Sequence, residues 1–553
     1  MDRSVRAADS VVPVLRSFAV RGVVEGFYGT PWTHDARLEV ISFLAARGMN
    51  AYAYAPKDDA RHRAEWRDPY GSAELEQFGE LAAHGDACGV QFGFAISPGL
   101  DIHYESATDR QTLLRKLAPL RDAGVSWFLL LLDDIPMQPG LASRQAALVT
   151  WLHSALGAAS LTMCPTEYVG THPSPYLAEL GSGMPSEVDV MWTGPTVCSP
   201  NLSADDARGW TRALGDRRVI VWDNYPVNDA LMTGSLHLGP YRGRDPDLAE
   251  VVGGVLCNPM IQARASQIAL GTAMDFLRDP DCYDAASSWA KAIADVGGSR
   301  AEPLGVLARA CADSPIAEPD TLELARRVDA LEAALGAADW GDEVRALRAE
   351  LTAARATTDA FPDPASPSDP LASEIAPWAA ALRRAADAGL AALRLIQAVR
   401  PVAALPSPTG AGHACGRAAP PDPEPAMHSA FMVLYVWKGA RTDERVVFGP
   451  RFAIYTPVVQ MPDGAPALDT RAAVREDANV IDRLCRIALC AYDDWRISAA
   501  GAPLQVVVDD EERAVAVDGT FDARGRTIIV RQGPISTRVT AGEALPFSDR
   551  RLA

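Results

Sequence analysis

Between residues 17 and 280 the chain alternates two kinds of segment, and that alternation restricts the fold more than any other feature. Eight short runs are apolar: FAVRGVVEGFY, AYAYAPK, QFGFAISPG, WFLLLLDDI, LTMCPTEY, VDVMWTGP, RVIVWDNYP and GGVLCNPM. They are continuous rather than alternating, as expected of strands buried on both faces. Most are separated by stretches with helical spacing, such as THDARLEVISFLAARGM, SAELEQFGELAAHGDACG, DRQTLLRKLAPLRDAG and RQAALVTWLHSALGA. Several of these open on Ser, Thr or Asp and close at Gly, the residues that satisfy free helix-end groups. Such an alternation predicts a parallel sheet covered by helices. Eight strands in about 250 residues is the size of a (β/α)8 barrel. A doubly wound open sheet is the alternative. It favours a glycine-rich phosphate loop after the first strand, and EGFYGTPW lacks the GxGxxG pattern.

The barrel is expected to fill residues 17–282, after an N-terminal tail over 1–16. Residues 283–400 change character. Ala, Leu, Arg and Glu dominate, with apolar positions at helical spacing in TLELARRVDALEAALGAADWGDEVRALRAELTAARA, which predicts an antiparallel helical bundle. Within it FPDPASPSDP carries Pro362, Pro364, Pro367 and Pro370, a break between two helices. Residues 401–427 read as a Pro/Gly-rich linker. Residues 428–553 read as a small C-terminal mixed α/β or β-rich domain of unknown role. Its expected strands are AFMVLYVWKG, ERVVFGPRFAIYTPVVQ, PLQVVVDDEERAVAVDG and GRTIIVRQG, and its expected helix is EDANVIDRLCRIALCAYDDW.

A formal net charge of −19 argues against a nucleic-acid partner, which requires a basic face to neutralise phosphates. Nine cysteines with no CxxC pair are not a disulfide framework and fit a reducing compartment. MDRSVRAADSVVPVLRSFAV has no apolar run of signal-peptide length, and no stretch of about 20 apolar residues exists to span a bilayer. A cytoplasmic protein with no membrane partner is expected.

In a barrel of this kind, chemistry sits at the carboxyl ends of the strands. Those ends carry Glu25, Gly26 and Tyr28; Lys57, Asp58 and Asp59; Asp133 and Asp134; Glu167 and Tyr168; Trp192 and Thr193; Trp222, Asp223 and Asn224, with Asp229 beyond; and Asn258. The third strand alone offers little. Carboxylates and amides bond hydroxyls, and Trp and Tyr cover the apolar face of a ring. With Lys57 as the one basic residue in the set, the rim suits a sugar better than a phosphate. Asp133 beside Asp134 is the sharpest question. Like charges that close repel and burial penalises both. The pair is either a solvated turn or it carries chemistry. None of the nine histidines falls in these motifs, and neither HxH nor HExxH occurs, so no metal is expected. Cys164 and Cys257 lie inside strands, where packing is the expected role.

RGVVEGFYGTPW, YAYAPKDD, LLLDDI, CPTEY, WTGP, WDNYPVND and LCNP, in that order, closely resemble glycoside hydrolase family 84. Its members are O-GlcNAcases and related β-N-acetylglucosaminidases, some of them hyaluronidase-like. The resemblance covers roughly residues 17–280. It implies a retaining exo-β-N-acetylglucosaminidase on a (β/α)8 barrel, with no cofactor. The substrate's own acetamido oxygen would attack the anomeric carbon and give an oxazoline, an exception to the scheme with a carboxylate nucleophile.

The resemblance assigns orientation of the acetamido group to Asp133 and general acid/base work to Asp134. Tyr168 and Asn224 would meet the acetamido oxygen. Tyr28, Thr193, Val197 and Trp222 would wall the acetyl pocket, while Gly26, Lys57, Asp229 and Asn258 would bind hydroxyls. Adjacent residues on a regular strand face opposite ways. The backbone must therefore twist at the strand end for both aspartates to serve one pocket, and Pro136 is placed to end the strand. PKDDARHRAEW departs from the family's usual Pro-containing form after Asp59. The expected partner is a GlcNAc-containing glycoconjugate, and the helical region is expected to support a homodimer. Two alternatives stand beside this reading: a catalytically silent GlcNAc-binding protein, and a hyaluronan-cleaving endo-glycosidase, which the chain's own acidity disfavours.

Overall fold

Eight parallel strands close on themselves in sequence order: β1 (Val20–Glu25), β2 (Ala51–Tyr54), β3 (Gln91–Ile96), β4 (Trp127–Leu131), β5 (Ser160–Cys164), β6 (Asp189–Trp192), β7 (Val219–Asp223) and β8 (Gly254–Cys257). β1 pairs with β2 from Gly22↔Ala51 and with β8 from Val20↔Gly254, which closes the ring and removes the open-sheet alternative. This computed structural model describes residues 17–316, 323–337, 340–362, 366, 368–399, 432–433, 436, 445–449, 458–460, 466–468, 479–499, 504–508, 511–513, 527–532 and 535–540. The expected tail and linker lie outside the described residues.

Side-chain size settles how the ring fills. Alternate residues of each strand share one packed cluster: Ala51, Ala53 and Ala55 from the β2 segment, Trp127, Leu129 and Leu131 from β4, Ile220 and Trp222 from β7. The small residues of β2 and β3 make room for the large ones. A Cβ on Gly93 would lie 2.3 Å from the Trp127 ring. Tyr52, Phe92, Phe94 and Phe128 alternate with these and are also buried. Both faces of the strands are therefore apolar, which is why the runs read as continuous.

The connecting helices are α1 (His34–Ala46), α2 (Ser72–Cys88), α3 (Ala107–Asp122), α4 (Leu141–Leu156), α5 (Pro175–Gly183), α6 (Ala204–Ala213), α7 (Leu248–Val251) and α8 (Ala263–Arg278). Thr33, Ser106, Ser174 and Ser203 each accept a first-turn N–H with the side chain, so helices start where the capping residues predict. α2 stops at Gly89 in the left-handed conformation.

The chain divides into two compact units. The first includes the barrel and runs on through α9 (Ala285–Gly297) to Ala301. The buried face of α9, with Ala292, Ile293 and Val296, packs on α8. Ser288 Oγ donates to Asp275 Oδ2 at 2.7 Å across that contact.

The second unit holds most of α10 (Ala301–Ala310), then α11 (Glu323–Ala337), α12 (Gly341–Ala360), α13 (Pro370–Val399) and α14 (Val480–Ala499). α12 ends and α13 begins across the proline-rich break. β11 (Leu504–Val508), β12 (Glu511–Arg513), β13 (Thr527–Gln532) and β14 (Ile535–Thr540) form an antiparallel sheet in this unit, while β9 (Val458–Gln460) pairs with β10 (Pro466–Leu468) in a segment that belongs to the first. Met432, Val433 and Val436 are helical where a strand was expected, and the rest of that run lies outside the described residues. Among the described residues no helix is long and apolar enough to cross a membrane.

Candidate active site

β4 runs straight to Leu131, and the pairing persists one step further, Leu132 N–H donating to Cys164 O at 2.9 Å. Then the backbone turns. Asp134 has φ 53°, the left-handed region that Asp tolerates better than most residues. Asp133 is buried, at 6% exposure, while Asp134 is exposed. The two neighbours therefore meet different surroundings.

Asp133 is held from one side. Lys57 Nζ, beyond the end of β2, donates to its Oδ2 at 2.5 Å, with both side chains buried. Its other oxygen, Oδ1, is buried and has no hydrogen-bond partner among the described residues. A buried carboxylate oxygen without a donor is costly. Asp134 is held from both sides: Tyr28 Oη donates to Oδ2 and Tyr168 Oη to Oδ1, each at 2.8 Å. Burial, and then the charge of Asp134, push both tyrosine hydroxyls well above their ordinary range. They remain donors at any physiological pH.

A second chain of contacts faces the first. Gly26 N–H donates to Asn258 Oδ1 at 3.1 Å. Asn258 Nδ2 donates to Asn224 Oδ1 at 2.9 Å, an oxygen that also accepts Trp222 Nε1 at 3.0 Å. Asn224 Nδ2 reaches Val197 O at 2.8 Å. Trp222 lies 5.4 Å from Lys57 Nζ, ring centroid to nitrogen, which joins the two chains. Asp229 Oδ2 accepts Tyr28 N–H at 2.8 Å. Burial raises the Asp229 carboxyl above its usual range, against the stabilising effect of that N–H. Thr193 joins through the backbone, its N–H on Tyr168 O at 3.0 Å, while its hydroxyl turns into its own loop toward Thr196 O. Val197 contributes its carbonyl and is 40% exposed.

Other strand-end carboxylates of the sequence set do something else. Glu25 is fully buried and takes both Arg37 Nε at 2.8 Å and Nη2 at 2.9 Å, with the Tyr52 hydroxyl and Trp32 N–H. Asp223 is forked by Arg244 and bonded by Tyr241. Asp59 accepts from Tyr54 and Tyr70. These satisfied groups shape the loops that carry the site. Glu167 takes Ser174 Oγ at 2.8 Å and stays out of the aspartate network.

Two neighbours were passed over in the sequence. His62 is fully buried, its Nδ1 on Ala95 O at 2.8 Å, and burial with the Lys57 charge lowers it to about 3. Arg63 stacks on Tyr28. Both lie in the PKDDARHR segment just past the second strand end. Among the described residues no group of three His, Cys, Asp or Glu is arranged to hold a metal.

A closed (β/α)8 barrel with an aspartate pair, two tyrosines and paired asparagines on one rim defines a class of sugar-handling protein. The β-N-acetylglucosaminidase family model matches residues 21–308. That is more than half of the chain, which therefore belongs to this family, glycoside hydrolase family 84. The protein O-GlcNAcases of Rattus norvegicus and Mus musculus are each 36% identical over 267 residues, 45% of this chain and 29% of theirs. The chain thus spans under a third of the length of these curated relatives. An aspartate-to-asparagine mutant of the O-GlcNAc hydrolase of Thermobaculum terrenum superposes with a TM-score of 0.72 at 28% identity, covering 88% of this chain and 97% of that one. The structure of CpGH84B gives 0.69 at 29% identity, over 78% and 75%.

Proposed function

We propose that the barrel is a retaining exo-β-N-acetylglucosaminidase that removes terminal β-linked GlcNAc from a glycoconjugate by substrate-assisted catalysis. The observation that carries this reading is the state of Asp133. One of its oxygens is committed to Lys57 and the other is buried without a donor. An acetamido N–H supplies that donor. Bonding to the anionic Asp133 then polarises the amide, so that its carbonyl oxygen attacks the anomeric carbon as the glycosidic bond breaks. Asp134, exposed and steadied by Tyr28 and Tyr168, passes a proton to the departing oxygen. It then takes one from the water that opens the oxazoline. Neither aspartate forms a bond to carbon, so adjacency of the two is no obstacle. Trp222 and Tyr28 wall the acetyl group, Asn224 meets its oxygen, and Lys57, Asp229 and Asn258 take the hydroxyls.

The test is hydrolysis of aryl β-N-acetylglucosaminides. Asp134→Asn should lose about 10²–10⁴-fold in kcat/KM on a phenyl glycoside and far less on a dinitrophenyl one, whose leaving group needs no proton. Replacing the acetyl group by trifluoroacetyl should slow the wild type steeply, because it weakens the attacking oxygen. Cleavage of plain glucosides at the same rate sinks the proposal. Tight binding of GlcNAc with no turnover would favour the silent binding protein instead.

A further inference from the structure

We infer that Arg63 is a positioning residue for the acid carboxylate of Asp134, acting through the ring of Tyr28; the inference rests on the glycosidase reading above. Arg63 lies in the turn beyond β2 and is 8% exposed. Its backbone N–H is bonded to Asp59 O and Ala60 O. Its side chain has no carboxylate partner among the described residues, and Nη1 is buried with no hydrogen bond. The comparably buried Arg37 and Arg244 each fork onto a carboxylate, Glu25 and Asp223. Holding a guanidinium away from water without a counterion is unfavourable. Arg63 keeps its place against a ring instead: its Cζ stands 5.7 Å from the Tyr28 ring centroid, within reach of a cation–π contact.

That ring leads to the chemistry. Tyr28 Oη donates to Asp134 Oδ2 at 2.8 Å, while Tyr28 N–H is anchored on Asp229. The hydroxyl of Tyr28 thus feels burial and Asp134 pulling one way and the positive charge of Arg63 the other. Of the other charged groups nearby, Lys57 and Asp133 are paired with each other, Asp229 accepts the Tyr28 N–H and Asp58 accepts the Gly29 N–H at 2.9 Å.

In the bond-breaking step the proton leaves Asp134 for the glycosidic oxygen. The electron pair of the carbon–oxygen bond goes to that oxygen, and a pair from the acetamido oxygen replaces it on carbon. Asp134 is left as an anion that two tyrosine hydroxyls bond, with the cation of Arg63 behind one of them. Arg63 fixes the rotamer of Tyr28 and favours the anion that forms. Its contribution therefore grows with the need of the leaving group for a proton, which separates it from a merely structural role.

The experiment compares wild type, Arg63→Met and Arg63→Lys on aryl β-N-acetylglucosaminides from dinitrophenyl to phenyl, as kcat/KM against leaving-group pKa, with a melting curve for each protein. The expected result for Arg63→Met is a steeper line, about tenfold lost on the phenyl glycoside and under threefold on the dinitrophenyl one. Arg63→Lys, which keeps charge without the planar stack, gives a smaller change in the same direction, and it serves alone if Arg63→Met does not fold. Lines parallel to wild type, whether lowered equally or not at all, overturn the inference and leave the glycosidase reading standing. A wild type inactive on the whole series removes that reading and this inference with it.

Discussion

Substitution of Gly26 by alanine probes the site through one carbon atom. A Cβ there would sit 2.1 Å from Cζ2 of Trp222, 2.7 Å from Cη2 and 3.1 Å from Cε2, where ordinary contact begins at 3.4 Å. The indole must retreat by about 1.3 Å. It has no open space to enter, being 4% exposed and tied by Nε1 to Asn224. Moving it disturbs Asn224, and through it Asn258 and the Val197 carbonyl. Overpacking of this kind costs about 1–3 kcal/mol, which lowers the melting temperature. The effect on rate is larger, because a displacement of about 1 Å in a positioning group is worth about 100-fold. Gly26→Ala should therefore fold, melt lower, and lose about two orders of magnitude in kcat/KM on 4-nitrophenyl β-N-acetylglucosaminide. Adding Trp222→Phe removes the clashing carbons and should recover melting temperature more than rate. A Gly26→Ala protein within threefold of wild type on that substrate would refute the claim that Trp222 is fixed against this backbone.

Other consequences follow from the buried charges. Lys57→Met leaves Asp133 as a buried anion without its counterion, so stability should fall by about 3–5 kcal/mol. The double change Lys57→Met/Asp133→Asn should restore much of that stability in denaturant titrations, but not activity. Failure of the second change to recover any stability would mean the pair is not coupled. The histidines set an acid limit. His62, lowered to about 3, and His237, lowered to about 4, are fully buried. In the unfolded chain each takes a proton near 6.5, so the unfolded state binds more protons below that pH and stability falls as pH drops. Each contributes about 2 kcal/mol of loss between pH 7 and pH 5. A His62→Gln/His237→Gln variant should show a flatter pH dependence than wild type over that range, and an equal slope would contradict the neutral buried assignment.

The barrel was legible because its grammar is local. Each strand is a continuous apolar run and several helices open on their own capping residue, Thr33, Ser106, Ser174 and Ser203 among them, so the units could be read one at a time without knowing their partners. The candidate site could be picked out for a related reason: strand ends share a rim, and a polar group placed there has a short list of reasons to exist. What escaped reading depends on partners distant in sequence. Nothing local distinguishes Glu25 and Asp223, consumed by Arg37 and Arg244, from Asp133, whose Oδ1 is left open. The same gap hid Arg63, which looks like any surface arginine until Tyr28 is seen against it. Alanine-rich helices look alike in sequence, and only the contact with α8 groups α9 with the barrel's unit. The aspartate pair lay between these cases. Its adjacency demanded a departure from regular strand geometry, and the backbone supplies one at Asp134, with φ 53°. The requirement could be read from sequence because adjacent residues on a regular strand face opposite ways, so two that were to serve one pocket needed the backbone to twist between them. Which of the Asp133 oxygens is left without a partner among the described residues could be read only once Lys57 had been placed against the other.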